Sequence, residues 1–302
     1  MENNQVSKSA LITAFCRGYH ARNDNPKIFN DFLSYDLFTE DERITLINTI
    51  LQIGKTIDPI TAATFKDNES ALMWSMQQGS IVALTTSRLA YAENNLLETI
   101  KHGAKQYVIL GAGMDTFAFR HLELQENLQV YELDHPATQT YKSNRINDLG
   151  WKTPSNLNYV PVDFTKDNLE SAFSNSSFDS KKLTFFSLLG VSYYLTSEGL
   201  FDILRTITNI SPKGSSIIFD YFETGLFAPN KNNQDVIKGS QKAGEPLKSG
   251  FNPSMLAEDI RSLGLRLHED IGPTEIENRY FSGRLDNYHA AKNTHYAWVF
   301  VE

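Results

Sequence analysis

Residues able to do chemistry cluster first in the segment VILGAGMDTFAFR, residues 108–120 of this 302-residue chain. An apolar run leads into Gly111-Ala112-Gly113, where missing side chains let the backbone approach a ligand closely, and a helix is expected to begin near Asp115 or Thr116. This is a nucleotide-type cradle. A dinucleotide turn asks for a third glycine three residues after Gly113, and Thr116 stands there instead. Asp115 also puts negative charge where a pyrophosphate would sit, whereas an adenosyl group without phosphates meets no such repulsion. About twenty residues on, in YELD, Glu132 and Asp134 fall on one side of a strand. That is the spacing at which an acid meets a ribose bound across the first crossover. One of them can hold ribose hydroxyls while the other orients a loop or its partner. Val162-Asp163-Phe164 closes a third apolar run, so that Asp163 can accept from an adenine amino group and Phe164 can flank the ring.

These groups meet only if one sheet edge carries them all. Residues 106–110 (QYVIL), 129–133 (QVYEL), 158–162 (NYVPV), 182–188 (KLTFFSL) and 215–219 (SSIIF) are compact apolar runs bounded by polar or glycine turns, as parallel strands covered on both faces require. Helical patterns alternate with them, notably residues 197–210, where Leu200, Phe201, Leu204 and Ile207 form one face. The alternation predicts an α/β, doubly wound, mostly parallel sheet with right-handed crossovers, whose ligands bind outside the carboxyl ends of the strands. Two late runs, 265–269 and 295–301, are expected to pair antiparallel at the sheet edge, which makes seven strands. Residues 1–103 read as a helical cover. Within it, residues 7–20 show helical spacing, Thr39 with Glu42 forms a capping box that opens a helix through Ile53, and Asp67 or Asn68 opens a longer helix through Leu89. Residues 104–222 form the cofactor-binding core. Residues 223–252 are too long for a simple connection and read as a lid or partly helical insertion. Residues 253–302 carry a helix opened by Pro253 and ended by Gly264, then the edge strands. The whole is a single domain.

Composition narrows the classes. A hydrophobic fraction of 41% with 12% aromatics supports a packed core rather than disorder. A formal charge of −8 removes the general attraction to phosphate backbones, so nucleic acid is not an expected partner. The single cysteine, Cys16, excludes an internal disulfide framework and fits a reducing compartment. The histidines lack HExxH or paired ligand spacing, so no metal is expected. The absence of GxSxG and of GxxxxGK[ST] argues against a serine hydrolase and a P-loop enzyme. No stretch approaches the ~18 apolar residues of a membrane span. The N-terminus carries Glu2 ahead of its short apolar run and has no small-residue cleavage site after it. The expectation is a cytoplasmic protein with no membrane partner; the oligomeric state is not legible.

LGAGMDTFAFR, then YELDHP, then VDF, then a fourth strand running into YYLT, resembles the leucine carboxyl methyltransferase family of S-adenosylmethionine-dependent enzymes, which includes bacterial members acting on small molecules. The likeness runs from about residue 9 to about residue 222. It implies a class I, Rossmann-like methyltransferase fold and S-adenosyl-L-methionine as cofactor. Residue by residue, it implies that Gly111, Ala112 and Gly113 line the cofactor, that Asp134 binds ribose, and that Asp163 with Phe164 frames adenine. Arg88, in TTSRLAYAENNLL, matches an arginine that in the family receives the methionine carboxylate, a task suited to a planar fork. Two positions depart from the pattern. Many members place a cofactor-contacting Glu after strand four, whereas this chain has Leu189 followed by Gly190, so the cofactor amine needs another acceptor, such as a backbone carbonyl at Leu188 or Leu189. The family's N-terminal Lys has no counterpart in SALITAFCRGYH.

Methyl transfer from a sulfonium is an in-line displacement, governed by alignment and exclusion of water. The expected acceptor is a small molecule of secondary metabolism, methylated on a carboxylate, which needs no base, or on a hydroxyl, which does. Tyr19, Tyr193, Tyr194 and Tyr221 are candidates to orient it. Arg284, in RYFSGRLDNYH, would attract an acidic acceptor if the C-terminal segment folded over the pocket. Two other readings stay open: an NAD(P)-dependent reductase on a similar sheet, which needs the missing glycine, and a non-catalytic cofactor-binding sensor, which Leu189 favours.

Overall fold

The computed structural model describes residues 6–78, 80–229, 231–242 and 244–302. Among them the apolar runs become β1 (Gln106–Leu110), β2 (Gln129–Asp134), β3 (Leu157–Pro161), β4 (Thr184–Leu188), β5 (Ser216–Phe222), β6 (Leu265–Ile271) and β7 (Thr294–Val301). They form one sheet in the order β3-β2-β1-β4-β5-β7-β6. β1 to β5 pair in parallel, and β7 runs antiparallel to both β5 and β6. The chain starts at the centre and winds outward both ways, so the switch between β1 and β4 opens a crevice at their carboxyl ends. β1 and β4 are buried along their whole length, which explains their unbroken apolar sequences.

Two-residue alternation divides the core between the faces. Val108, Leu110, Phe186, Leu188, Ile217 and Phe219 pack on one side with the Ser197–Ile210 helix. Tyr107, Ile109, Phe185 and Ile218 pack on the other, beneath the N-terminal helices. Those helices are Lys8–Asn23, Glu40–Ile57, Asn68–Gln78 and Ser80–Lys101, together with a short turn at Pro59–Ala62. The capping box forms as expected, with the Thr39 N–H donating to Glu42 and the Glu42 N–H to the Thr39 hydroxyl. The helix expected from Asp67 or Asn68 is described over Asn68–Gln78 and Ser80–Lys101, and the second stretch continues past Leu89 to Lys101 because its buried stripe extends through Leu96.

The two late strands pair antiparallel at the sheet edge, as expected; within the pair, THYAWVFV of β7 is almost entirely buried between β5 and β6, while LRLHEDI of β6 alternates with solvent as the outermost strand does. The helix after the glycine turn begins where expected, with Thr116 at its N-cap, and is short, Phe117–Arg120, before a 3-10 turn at Leu122–Leu124. The insertion is partly helical, with a 3-10 turn at Thr224–Phe227 and a helix at Lys231–Lys242. Its ends are clipped together, the Phe251 N–H donating to the Phe222 carbonyl and the Thr224 N–H to the Phe251 carbonyl.

Candidate functional site

At the carboxyl ends of the central strands lies a cavity of about 430 Å³, within the ~300–1,000 Å³ usual for small-molecule sites. Its floor is the glycine turn. Gly111 has φ +80, in the left-handed region, and a Cβ there would lie 2.3 Å from Val191 Cγ2. The Gly111 and Ala112 N–H groups donate to the Leu133 carbonyl, which pins the turn to β2. The Gly113 N–H donates to Asp134 Oδ2 at 2.5 Å, and the His135 N–H to Oδ1 at 2.6 Å. Each carboxylate oxygen has accepting capacity beyond that one N–H, and Asp134 lines the cavity. Burial pushes Asp134 above the ordinary carboxylate range against the pull of these two N–H groups. Glu132 lies deeper on the same face and pairs with Lys142 of the Pro136–Asp148 helix. Burial pushes it up to about 7 despite that ammonium. The two acids thus divide: Asp134 meets the cavity and Glu132 holds a helix.

Asp163 and Phe164 line the cavity after β3. Burial alone would raise Asp163, but the Thr165 hydroxyl at 2.6 Å and Lys166 Nζ at 3.0 Å hold it down at about 2. Arg88 projects from the Ser80–Lys101 helix, with Nη1 donating to Asp220 Oδ2 at 2.9 Å and to the Tyr193 hydroxyl at 3.1 Å. Burial works against its charge; Tyr193 and Asp220 overcome that and keep it firmly protonated. Leu189, Tyr193 and Tyr194 line the wall after β4. Burial pushes both phenols up, Tyr194 to about 12 with Glu245 adding to the effect.

Three candidates do not reach the cavity. Tyr19 lies beyond the part of the Lys8–Asn23 helix that lines it and packs on Phe15. Tyr221 projects from the opposite face of β5 to Phe222, donates to Asp270 Oδ2 at 2.7 Å and stacks on His295. Arg284 bonds Asp286 within its own segment, and the C-terminal segment does not cover the pocket. The cover comes from residues 244–248 and the start of the first helix, joined where the Ser7 hydroxyl donates to Glu245 Oε1 at 2.7 Å.

Sequence reading missed several residues here. Asp220 carries a signal, an acid inside the apolar SIIFDYF on the same face as Ile218 and Phe222. Arg17 and Asp31 buttress the glycine turn from below: Arg17 Nε lies 2.5 Å from Asp31 Oδ2, Arg17 Nη2 donates to the Met114 carbonyl, and the Thr116 hydroxyl donates to Asp31 Oδ1. Arg17 also lines the cavity, but with its charge already paired. Lys248 lines the rim with no ion-pair partner among the described residues, and only three-dimensional closure of the insertion brings it there. Among the described residues no cluster of His, Cys, Asp and Glu could hold a metal, and no helix is long and apolar enough to cross a membrane.

Comparison with known proteins follows the same lines. The sequence model of the leucine carboxyl methyltransferase family matches residues 10–208. YktD of Bacillus subtilis (strain 168), named for S-adenosyl-L-methionine-dependent methyl transfer, is 41% identical over 98% of both chains. A Mycobacterium ulcerans protein named for the same activity is 29% identical over 74% of this chain and 68% of its own. Among solved structures, a DUF574-family protein of Streptomyces avermitilis superposes with TM-score 0.59 at 12% identity, covering 99% of both chains. A protein of Thermobifida fusca YX described as a methyltransferase superposes with TM-score 0.53 at 12% identity, covering 100% and 96%. These two likenesses concern the fold.

Proposed function

The chain belongs to the leucine carboxyl methyltransferase family and is a methyltransferase that takes S-adenosylmethionine as cofactor; from that premise we propose that it methylates an oxygen of a small-molecule acceptor that arrives already anionic, a carboxylate above all. The observation that carries this reading is the engagement of every acid near the glycine turn and the cover. Asp134 takes two backbone N–H groups, Asp115 takes the Phe117 N–H at 2.7 Å, and Glu245 takes the Ser7 hydroxyl. Tyr193 and Tyr194 are driven up by burial, so they stay protonated and do not act as bases. His135 Nδ1 accepts from the Ala137 N–H at the nucleoside end. No described lining side chain stands ready to deprotonate a neutral alcohol.

The residues present fit the cofactor. The glycine turn admits a close backbone approach, Asp134 offers acceptor oxygens to ribose, and the buried Arg88 Nε has no partner among the described residues and awaits an anion. When bound, the cofactor supplies a methyl group on a positively charged sulfur. The chain's own contribution is positional. Ile81, Leu84, Leu195 and Phe222 wall the remaining space and exclude water, and Lys248 offers positive charge at the rim for an acidic acceptor. The net charge of −8 favours a small molecule over a nucleic acid.

The test is an acceptor panel of carboxylates, phenols and alcohols, assayed for alkali-labile methyl ester. Carboxylates should turn over with kcat/KM flat between about pH 6 and about pH 9, since the nucleophile is ionised throughout. Lys248→Ala should raise acceptor KM severalfold without changing S-adenosylhomocysteine affinity. Transfer confined to phenols or amines, with a rate rising through a basic pKa, would defeat the proposal.

A further inference from the structure

Leu189 leaves an alkyl group where many family members carry a Glu, yet a carboxylate reaches the same turn from the neighbouring strand. Asp220, wholly buried on β5, accepts the Gly190 N–H through Oδ1 at 2.7 Å and Arg88 Nη1 through Oδ2 at 2.9 Å. Its backbone carbonyl also accepts the Ser192 hydroxyl. One residue therefore ties the Ser80–Lys101 helix to the turn after β4. Gly190 makes room for this: its φ is +76, and a Cβ there would lie 2.6 Å from Arg88 Nη2.

The guanidinium is held from one side only. Nη1 is occupied by Asp220 and the Tyr193 hydroxyl, while Nη2 and the buried Nε make no hydrogen bond among the described residues. Nε and Nη2 form the side-on pair of donors that a carboxylate accepts through two parallel bonds. A buried donor left unpaired is costly, so this edge is set for a ligand.

We infer that Asp220 is a positioning residue that turns the Arg88 fork so that its Nε–Nη2 edge receives the amino-acid end of the cofactor. The inference rests on the reading of Arg88 as the carboxylate-binding residue. Asp220 does not line the cavity and acts through Arg88 and Gly190. Its charge also balances Arg88, so a zwitterionic ligand end enters without leaving a net buried charge.

The test uses Asp220→Asn in the full chain. The Asn oxygen still accepts the Gly190 N–H, but its amide N–H groups meet Arg88 Nη1 donor to donor and turn the fork away. Calorimetry compares S-adenosylhomocysteine with 5′-methylthioadenosine, a nucleoside thioether lacking the amino-acid end. S-adenosylhomocysteine should weaken roughly tenfold or more while methylthioadenosine changes less than about twofold. General loosening of the fold would weaken both alike, and that result, or no change in either, overturns the inference. If Asp220→Asn does not fold, Tyr193→Phe removes the second Nη1 acceptor without changing shape. It should cost S-adenosylhomocysteine alone severalfold, and an unselective loss again overturns the role. A wild-type protein that shows no preference for S-adenosylhomocysteine over methylthioadenosine refutes the reading of Arg88 itself. Failure of Asp220 alone appears only in the variants.

Discussion

Thr116 stands where a dinucleotide turn would carry glycine, and its hydroxyl is committed to Asp31, which also holds Arg17 beneath the turn. The substitution that disfavours a pyrophosphate thus also braces the loop against the first helix. Asp134 fixes the Gly113 and His135 N–H groups at the same place, and in the proposed function its remaining lone pairs take a ribose. Asp134→Ala should therefore weaken S-adenosylhomocysteine by roughly a hundredfold in calorimetry. Stability should fall by only about 1–3 kcal/mol, the cost of leaving those N–H groups unsatisfied. Unchanged affinity would remove Asp134 from the site. Leu189 and Asp220 carry a parallel lesson, since a charge missing at one position reaches the same turn from the adjacent strand.

At the scale of elements, the cavity depends on a seam between two segments far apart in sequence. Ser7 caps the first helix by accepting the Ala10 N–H and donates to Glu245, and the Lys248 N–H donates to the Tyr193 carbonyl, so the returning insertion is held at both its outer and inner ends. If the cofactor enters the cavity beneath this seam, its exchange parts these bonds. Glu245→Ala, which deletes the outer bond and leaves the floor intact, should speed S-adenosylhomocysteine dissociation severalfold in stopped-flow displacement while association changes little. An unaltered off-rate would mean that the cover is passive. β6 and β7 divide the labour of closing the sheet: β7 is buried, and β6 takes the solvent edge with its charged alternation.

Over the whole molecule, several groups link stability to pH in one direction. Burial raises Glu132 to about 7. Burial would lower His121 and His295, but their carboxylate neighbours, Glu93 with Glu123 and Asp270 with Glu223, raise both above the ordinary value of 6.5. A group raised in the folded state contributes stability that is fully present below its unfolded pKa and lost as pH climbs through the folded value. The Tm should therefore be higher near about pH 5.5 than near about pH 8. His295→Gln, which breaks the link between Glu223 and Asp270, should flatten the part of that decline above about 6.5 and leave the part below it; an unchanged slope would exclude His295 as a contributor. The amino-acid sequence by itself determined the strand runs, the Thr39 cap, the glycine turn and the acid–aromatic order at the strand ends. Each depends on local periodicity and on backbone preferences that neighbouring residues carry. Only the tertiary structure decided which tyrosines face the cavity, that residues 244–248 rather than the C-terminal segment cover it, and that Asp220 meets Arg88. Those outcomes turn on which face of a strand or helix is covered and on contacts between residues as distant as 238 positions, and such packing leaves no local trace.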